Sequence, residues 1–403
     1  MDLTRRTFLR STGLGALALG MGSFKSCTVD ESKRISDKPI QGFNEMNSNT
    51  DTAKSWVQTS DRKVRVGIVG YGVCKFGAAF SFQDHPNVEI VAVSDLIPDR
   101  CTRLAEACRC EKTYPSLEQM VTDDKIEAIF VATDAPSHAR HCLEVMKYGK
   151  HVATACPALM EDIEDADRLL EMVKKTGLKY MMFETTTFRN KTYAMRKIYN
   201  AGGFGNLIYT EGEYFHYFPE PLASYKEWRK GLPPMWYCTH STGFYISVAA
   251  GSVTEVSCMG MASIIPHLMP EGNEYKNPFG TEIGLFRTSE GGMARFAVSW
   301  DTPGAHGETG RVHGQKGSFD SEYRGTSSNL PSLKKPPLPS GVSPGGHGGS
   351  HGYLMDDFVM SIIEDRKPTV DIATALNMTI PGLVAHQSAL KDGEIMKIPQ
   401  YTL

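Results

Sequence analysis

The stretch that decides the fold is KVRVGIVGYG at residues 63–72, a short apolar run that ends in two closely spaced glycines. A helical pattern begins after it, with Phe76, Ala79 and Phe80 on one face. The segment VEIVAVSD at residues 88–95 is a second apolar run, and it ends in an acid. The predicted order is therefore strand, glycine-rich turn, helix, strand and acid.

This order is the layout of a dinucleotide-binding Rossmann unit. In such a unit Gly70 would permit the tight turn, and Gly72 would let the backbone approach a pyrophosphate at the helix N-terminus. The third glycine of the usual pattern would fall at Lys75, whereas the chain has Gly77. We therefore predict that Gly70, Gly72 and Val73 bind a dinucleotide.

The acid at the end of the second strand, Asp95, predicts which dinucleotide is bound. Asp95 would accept hydrogen bonds from the adenosine ribose hydroxyls, and its charge would repel a 2′-phosphate. NAD is therefore expected rather than NADP, although Arg100 is close enough in sequence to soften this preference.

The alternation of strands and helices continues to about residue 185. Predicted strands at 126–132, 150–154 and 178–183 alternate with predicted helices at 138–149 and 162–176. Strands and helices in this order form a parallel sheet. Thr133 follows one of these strands, at the edge where such sheets bind ligands, so we expect it to contact the cofactor.

The second half of the chain has a different pattern. Apolar or alternating segments at 207–217, 254–261, 281–288 and 293–300 lack long helices between them, and SEGG at 289–292 is a hairpin turn signal. A helical segment is expected around 239–250, and terminal helices at 356–365 and 372–391. We predict an α/β protein: an N-terminal Rossmann domain and an α+β domain built on a mostly antiparallel open sheet.

Residues 325–352 are rich in Gly, Pro, Ser, Lys and His. This composition predicts a long surface loop near the site or over it. His347 and His351 could suggest a metal site, but no carboxylate or Cys completes a ligand set, so a solvated loop without metal is expected.

The segment TRRTFLR at residues 4–10 matches the twin-arginine export signal, and a weakly apolar stretch follows. We divide the chain into a signal segment (1–30), a polar linker (31–62), the NAD-binding domain (63–185) and the substrate domain (186–403). The expected location is the periplasm, and Cys27 leaves open a lipid anchor to the membrane.

Composition excludes several classes of protein. The 403 residues carry 43 Lys+Arg against 46 Asp+Glu, with no dominant basic block, so nucleic acid is not expected as a partner. The chain has no uncharged apolar stretch of the roughly 18 residues that would indicate a polytopic membrane protein. Nine Cys without a CxxC pair argue against a zinc ribbon or a disulfide scaffold.

From about residue 63 to 400 the chain resembles the Gfo/Idh/MocA oxidoreductases. The resemblance rests on residues 66–72, Asp95, Val131-Ala132-Thr133 with His138, residues 149–152, residues 314–317 and the segment 353–366. It implies NAD, a carbohydrate substrate, homo-oligomers formed through the open sheet, and cofactor contacts from His138, Cys156 and Pro157. In that family a Glu-Lys-Pro motif supplies a Lys for proton transfer, whereas the matching positions here are Ala155-Cys156-Pro157.

A second resemblance is to the NAD-dependent glycosidases related to that family, which also lack this Lys. It rests on Trp228-Arg229 and on Tyr237-Cys238-Thr239-His240. It implies that Tyr237 and His240 act at the sugar. A Tyr that those enzymes carry is replaced here by Phe188.

Hydride transfer from a secondary alcohol needs a base within hydrogen-bond reach of the hydroxyl. His240 is the leading candidate because imidazole titrates near neutrality, and Tyr237 could share the proton. Glu184 ends a strand at the domain junction and is a third catalytic candidate. The candidate sugar-binding residues are Arg189, Trp228, Arg229 and Lys230.

Three functions remain open on these residues. The first is an NAD-dependent oxidoreductase acting at a secondary alcohol of a sugar or sugar derivative, with NAD tightly held and recycled. The second is a glycosidase or lyase that oxidises its substrate transiently and eliminates the glycosidic oxygen. The third is a non-catalytic relative that binds NAD or sugar.

The twin-arginine prediction is tested by replacing both Arg5 and Arg6 with Lys. Because that export route requires the arginine pair, we expect the variant to remain in the cytoplasm, as measured by immunoblotting of cell fractions. Normal accumulation of the variant in the periplasm would count against this signal.

Overall fold

The computed structural model describes residues 56–304 and 307–403. The predicted signal segment, Cys27 and most of the predicted linker lie outside the described residues. Among the described helices, none combines the length and the apolar character that a membrane span requires.

The first sheet has six parallel strands in the order β3-β2-β1-β4-β5-β6. Its strands are mostly buried and rich in Val, Ile and Ala, as expected for a parallel sheet that is covered on both faces. The strands are β1 (Val64–Val69), β2 (Val88–Ser94), β3 (Thr113–Tyr114), β4 (Ala128–Val131), β5 (His151–Ala155) and β6 (Tyr180–Phe183).

Five helices connect these strands, and their ends follow from local sequence. They are α1 (Phe76–Ala79), α2 (Pro98–Cys108), α3 (Leu117–Met120), α4 (His138–Lys147) and α5 (Glu164–Thr176). Helix α5 has acids in its first turn and lysines in its last, which complements the helix dipole. It ends at Gly177, whose φ of 68° gives the left-handed conformation common after a helix.

The second sheet has eight strands in the order β13-β12-β11-β7-β10-β9-β8-β14. Strands β7 and β10 are parallel, and the other neighbours are antiparallel. The strands are β7 (Leu207–Phe215), β8 (Val253–Ala262), β9 (Phe279–Thr288), β10 (Met293–Ser299), β11 (Gly307–Gly314), β12 (Gly317–Phe319), β13 (Tyr323–Gly325) and β14 (Met396–Lys397).

The helices of the second half are α6 (Asn190–Asn200), α7 (Thr239–Ala249), α8 (Gly346–Gly349), α9 (His351–Ile363) and α10 (Ile372–Ala389). Helix α7 lies against β7 and is buried from Thr239 to Val248. Two of its buried hydroxyls donate to backbone carbonyls, Ser241 to Cys238 at 2.7 Å and Thr242 to Met378 at 2.9 Å. The start of α7 is thereby fixed in the core.

The last helices return to the first sheet. Helix α9 contacts β1 and β6, and α10 contacts β6. The Met182 amide of β6 also donates a hydrogen bond to the Val370 carbonyl at 3.1 Å. The end of the chain therefore ties the two sheets together.

The predicted fold class is confirmed, with some differences in detail. The helix after the glycine turn is only four residues long, and the sequence analysis did not identify α6 or β11 to β13. The expectation of a solvated loop at His347 and His351 is wrong, because these side chains are 1% and 2% exposed. The His351 ring stacks on Phe80, with 4.2 Å between centroids, and the loop's polar composition gives no sign of this partner.

Candidate functional site

A groove runs along the carboxyl ends of β1, β2 and β4. Gly70 has a φ of 96°, and a Cβ there would lie 2.3 Å from the Ala132 carbonyl oxygen. At Gly72 a Cβ would meet nothing within 4 Å, so this backbone borders open space. The turn therefore offers bare backbone to a ligand at the helix N-terminus, which fits a dinucleotide pyrophosphate.

Gly77 has the structural role of the third glycine of the pattern, two residues after the usual position. A Cβ at Gly77 would lie 2.4 Å from the Gly70 carbonyl oxygen, so only glycine lets α1 approach the turn this closely. Lys75, at the expected position, takes a left-handed conformation with φ of 56° instead. The two-residue displacement thus preserves the close packing that the pattern requires.

Asp95 lines the groove and is held firmly by backbone amides. Its Oδ2 accepts from the Tyr71 amide at 2.8 Å, and its Oδ1 accepts from the Ile97 amide at 2.9 Å. Each carboxylate oxygen can accept a second hydrogen bond, so Asp95 can still bind ribose hydroxyls. Val73 and Arg100 line the same groove.

Thr133 also lines the groove, and it shares a hydrogen bond of 2.9 Å with His141 Nδ1. Burial, with the nearby Arg140 charge, lowers the pKa of His141 to about 4, so this ring is neutral near pH 7. His138 does not line the groove. It is buried, with its Nδ1 2.7 Å from the Pro157 carbonyl oxygen, and so braces the turn after β5. His138 was predicted from the sequence to contact the cofactor, whereas His141, which lies in the groove, was not.

Two predicted catalytic residues, His240 and Glu184, lie together with Cys156, which was predicted to contact the cofactor. His240 lies in the first turn of α7, Glu184 directly follows β6, and Cys156 directly follows β5. His240 Nδ1 lies 2.7 Å from Glu184 Oε1, and its Nε2 lies 3.6 Å from Cys156 Sγ. The structure thus brings together Glu184, His240 and Cys156 from three different elements.

These three side chains also have donor atoms within 4.8 Å of one another, close enough to consider a metal ion. Glu184 and Cys156, however, lie at opposite nitrogens of the His240 ring. As these contacts stand, the three side chains form a hydrogen-bonded chain through the imidazole.

A second buried carboxylate, Glu308 of β11, lies 4.0 Å from His240 Nδ1. Arg189 binds it through Nε at 2.7 Å and Nη2 at 2.9 Å, and the Thr186 hydroxyl donates to it at 2.8 Å. Burial opposes ionisation of Glu308, but the Arg189 and His240 charges lower its pKa to about 2. Arg189, predicted to bind sugar, thus holds a carboxylate beside the imidazole.

The charges around His240 decide its protonation. Burial alone would lower its pKa, but Glu184, followed by Cys156 and Glu308, raises it well above the ordinary histidine value. His240 is therefore an imidazolium near neutral pH. Two carboxylates and two cations, counting Arg189, balance within this buried cluster.

Aromatic rings enclose the cluster. The Tyr214 and Tyr237 rings have their centroids 4.5 and 5.5 Å from that of His240, and Trp300 packs against both tyrosines. Burial, followed by Cys156, raises the pKa of Tyr237 well above its ordinary value, although Arg229 opposes this. Tyr237 is therefore a protonated phenol at neutral pH.

Arg229 connects the groove to the cluster. It lines the groove, and its guanidinium lies 4.1 Å from the Trp228 ring centroid and 5.9 Å from the Tyr237 ring centroid. Trp228 lines the groove as well, whereas Lys230 lies 4.0 Å from Glu227. Two predicted sugar-binding residues thus lie where the groove meets the cluster.

Tyr214 and Glu308 were not predicted from the sequence, and His347 was named but assigned to a solvated loop. Alternation along β7 puts Tyr214 on the buried face with Thr210, a signal that could have been used. His347 lies over His240, with 6.2 Å between ring centroids, and Glu308 is placed by the pairing of β11 with β7. Neither of these two has a local sequence signal.

Curated relatives of this chain are named glycosyl hydrolase family 109 proteins. One from Saccharopolyspora erythraea is 22% identical over 444 residues, covering 99% of this chain and 94% of the relative. One from Bacteroides fragilis is 30% identical over 162 residues, covering 38% of this chain and 35% of the relative.

Solved structures of sugar and polyol dehydrogenases share the fold. The scyllo-inositol dehydrogenase of Lactobacillus casei with NAD(H) and scyllo-inositol has a TM-score of 0.65 at 16% identity, covering 83% of this chain and 99% of that one. A levoglucosan dehydrogenase complex with NADH and levoglucosan has a TM-score of 0.68 at 16% identity, covering 84% and 100%.

Two family models match the chain. The model for residues 64–184 describes an oxidoreductase family with an NAD-binding Rossmann fold, which confirms the predicted cofactor. The model for residues 192–320 describes the Gfo/Idh/MocA C-terminal domain. The two matches cover the first sheet and strands β7 to β12 of the second, and the chain belongs to the Gfo/Idh/MocA oxidoreductase family.

Proposed function

We propose that this protein oxidises a secondary alcohol of a sugar or sugar derivative by hydride transfer, with NAD held and recycled. The observation that carries the proposal is the buried Glu184–His240–Cys156 chain, joined through Tyr237 and Arg229 to the groove that fits NAD. When bound, NAD⁺ supplies the hydride acceptor. The residues of this chain then have to orient the sugar and move its hydroxyl proton.

The retention of NAD has structural support. Residues 223–229 of the second half, apart from Glu227, line the same groove as the glycine turn. A dinucleotide in this groove would therefore be contacted from both halves of the chain. Export by the twin-arginine route belongs to the same proposal, since a folded protein can carry a cofactor acquired in the cytoplasm.

His240, held by Glu184, accepts and returns the proton of the substrate hydroxyl. Glu184 accepts a hydrogen bond from Nδ1, which leaves Nε2 to exchange a proton on the side of Cys156 and Tyr237. The raised pKa of His240 makes it a strong base once deprotonated, and an available acid near pH 7. A reaction that oxidises and then reduces its substrate needs both forms.

A second candidate function is a glycosidase that oxidises transiently. It is favoured by the similarity over 99% of the chain to a relative named a glycosyl hydrolase, and by Cys156 at the position of the family's Lys. In this case the proton chain would serve both oxidation and the elimination of the glycosidic oxygen.

One set of assays separates the candidates. Mass spectrometry of the denatured protein would detect retained NAD(H). Net absorbance at 340 nm with free sugars supports the oxidoreductase, and release of the aglycone from glycosides without net NADH supports the glycosidase. Absence of both activities in NAD-loaded protein, across a panel of sugars and glycosides, would overturn the proposal and leave a binding protein.

The open sheet suggests a homo-oligomer. Its outer face exposes Met259, Met261, Ile283 and Leu285, which are 62%, 70%, 41% and 49% exposed on neighbouring strands. A contiguous apolar patch of this kind marks an interaction surface. The proposed partner is a second copy of this chain.

Replacing Leu285 with Arg should lower the mass measured by size-exclusion chromatography with light scattering, because a charge within the patch opposes its burial. Tyr148→Arg, at an exposed site 44% accessible on the first half, is the matched control and should leave the mass unchanged. A monomeric wild type, or an oligomer insensitive to Leu285→Arg, would contradict this interface.

Asp95→Ser tests the choice of cofactor. Removing the carboxylate removes its repulsion of a 2′-phosphate, so the ratio of NAD to NADP affinity should fall, on the order of tenfold or more. Calorimetric titration of cofactor-free protein measures both affinities. An unchanged ratio would refute the assignment of Asp95.

His240→Ala tests the base. Losing a general base costs roughly 10²–10⁴-fold in turnover. NAD content should remain normal, because His240 does not line the groove. The raised His240 pKa also predicts that kcat/KM for alcohol oxidation rises with pH above the ordinary histidine value, since a base must first lose its proton. This rise should be absent in the variant.

Tyr237→Phe is the companion variant, because it keeps the ring and removes only the hydroxyl. A loss of turnover with normal thermal stability separates its chemistry from its packing. Near-normal turnover in His240→Ala would show that the base is misassigned, and loss of NAD would show that His240 supports the cofactor instead.

A further inference from the structure

Cys156 lies at the centre of a line of four buried polar groups. His240 Nδ1 meets Glu184 at 2.7 Å, and His240 Nε2 meets Cys156 Sγ at 3.6 Å. Tyr237 interacts electrostatically with Cys156, and its ring centroid lies 5.5 Å from that of His240. None of the four side chains belongs to a residue that is more than 6% exposed. The order from the pocket inward is Tyr237, Cys156, His240 and Glu184.

The direction of these contacts follows from the imidazole. Glu184 holds the Nδ1 hydrogen, so Nε2 is the nitrogen that faces the thiol. In neutral His240, Nε2 accepts the S–H hydrogen bond; in the imidazolium, Nε2–H donates to sulfur. In either form one proton is shared between Nε2 and Sγ.

The outer end of the line reaches space that a ligand can use. Tyr237 lines a small pocket together with Arg229, Tyr214 and Trp300, and Arg229 also lines the NAD groove. Neither Cys156 nor His240 lines either pocket. A ligand group that reaches this pocket would therefore meet Tyr237 before it could meet the imidazole.

We propose that the Cys156 thiol relays protons between the Tyr237 hydroxyl and His240, and so replaces the Lys found at this position in the family. The proposal rests on the proposed function and adds a residue to its site. Cys156 is not expected to touch the sugar, so it is a relay and positioning residue.

Protons and electrons balance when the oxidation step uses this line of side chains. The substrate hydroxyl gives its proton to the Tyr237 oxygen, the Tyr237 proton passes to Sγ, and the thiol proton passes to His240 Nε2. When bound, NAD⁺ would accept the hydrogen of the carbon together with its bonding electron pair, and the O–H electron pair would become the second bond of the carbonyl. Tyr237 and Cys156 each gain one proton and lose one, so both are protonated again at the end. Glu184 stabilises the imidazolium that forms on His240.

The relay is tested with Cys156→Ala and Cys156→Ser. Alanine breaks the line, so turnover should fall about 10- to 100-fold with KM and bound NAD unchanged. Serine can donate and accept a proton, so it should recover most of this loss. Cys142→Ala is the matched control, because Cys142 is also buried but lies in α4, away from the cluster.

A pH profile separates a relay from packing. If Cys156 connects His240 to the substrate, Cys156→Ala should lose the rise of kcat/KM with pH, and Cys156→Ser should retain it. If the thiol serves packing alone, its loss would lower kcat/KM by the same factor at every pH and leave the shape of the pH profile unchanged. Equal losses in alanine and serine, or an unchanged profile in alanine, would overturn the relay.

A readout without substrate keeps the two proposals separate. Nitrogen NMR of histidine-labelled, NAD-loaded protein should show the His240 titration midpoint moving by about one pH unit or more in Cys156→Ala, but not in Cys142→Ala. An unchanged midpoint would overturn the relay even in an active enzyme. A shifted midpoint in a protein with no activity would support the coupling of Cys156 to His240 and count against the proposed function.

Discussion

The hydrogen bond between Glu184 and His240 is the contact on which the site depends. It joins the end of the first sheet to the first turn of α7, which lies on the second sheet. Both groups are buried, and breaking a buried ion pair by removing one partner costs about 3–5 kcal/mol, because the remaining charge is left without compensation. The geometry of the two halves is therefore coupled to the chemistry at their junction.

That contact requires the surrounding charges. Glu308 beside His240 would be costly to bury without Arg189, which binds it through two nitrogens, and Arg189 in turn would be costly to bury without Glu308. The aromatic rings of Tyr214, Tyr237 and Trp300 complete the enclosure, and excluding water strengthens each of these interactions. The site is thus preorganised: its positive and negative charges are balanced, and aromatic side chains enclose them.

The sequence predicts those parts of this arrangement that depend on local structure. The turn at Gly70 and Gly72 and the acid at Asp95 follow one strand and its neighbour, so spacing alone places them in the groove. Glu308 could not be found in this way, because it reaches His240 only through the pairing of β11 with β7. His347 was misjudged for the same reason, since the rings that bury it come from α1 and α7.

The balance of charge also gives a physical reason for the missing Lys. Glu184 and Glu308 supply two negative charges, and Arg189 and the His240 imidazolium supply two positive ones. A Lys at position 156 would lie against His240 and bring a third cation into a buried group that is already neutral. Either the Lys or the imidazole would then lose its proton. A cysteine at this position adds no cation to the group, so His240 remains the residue that carries the positive charge.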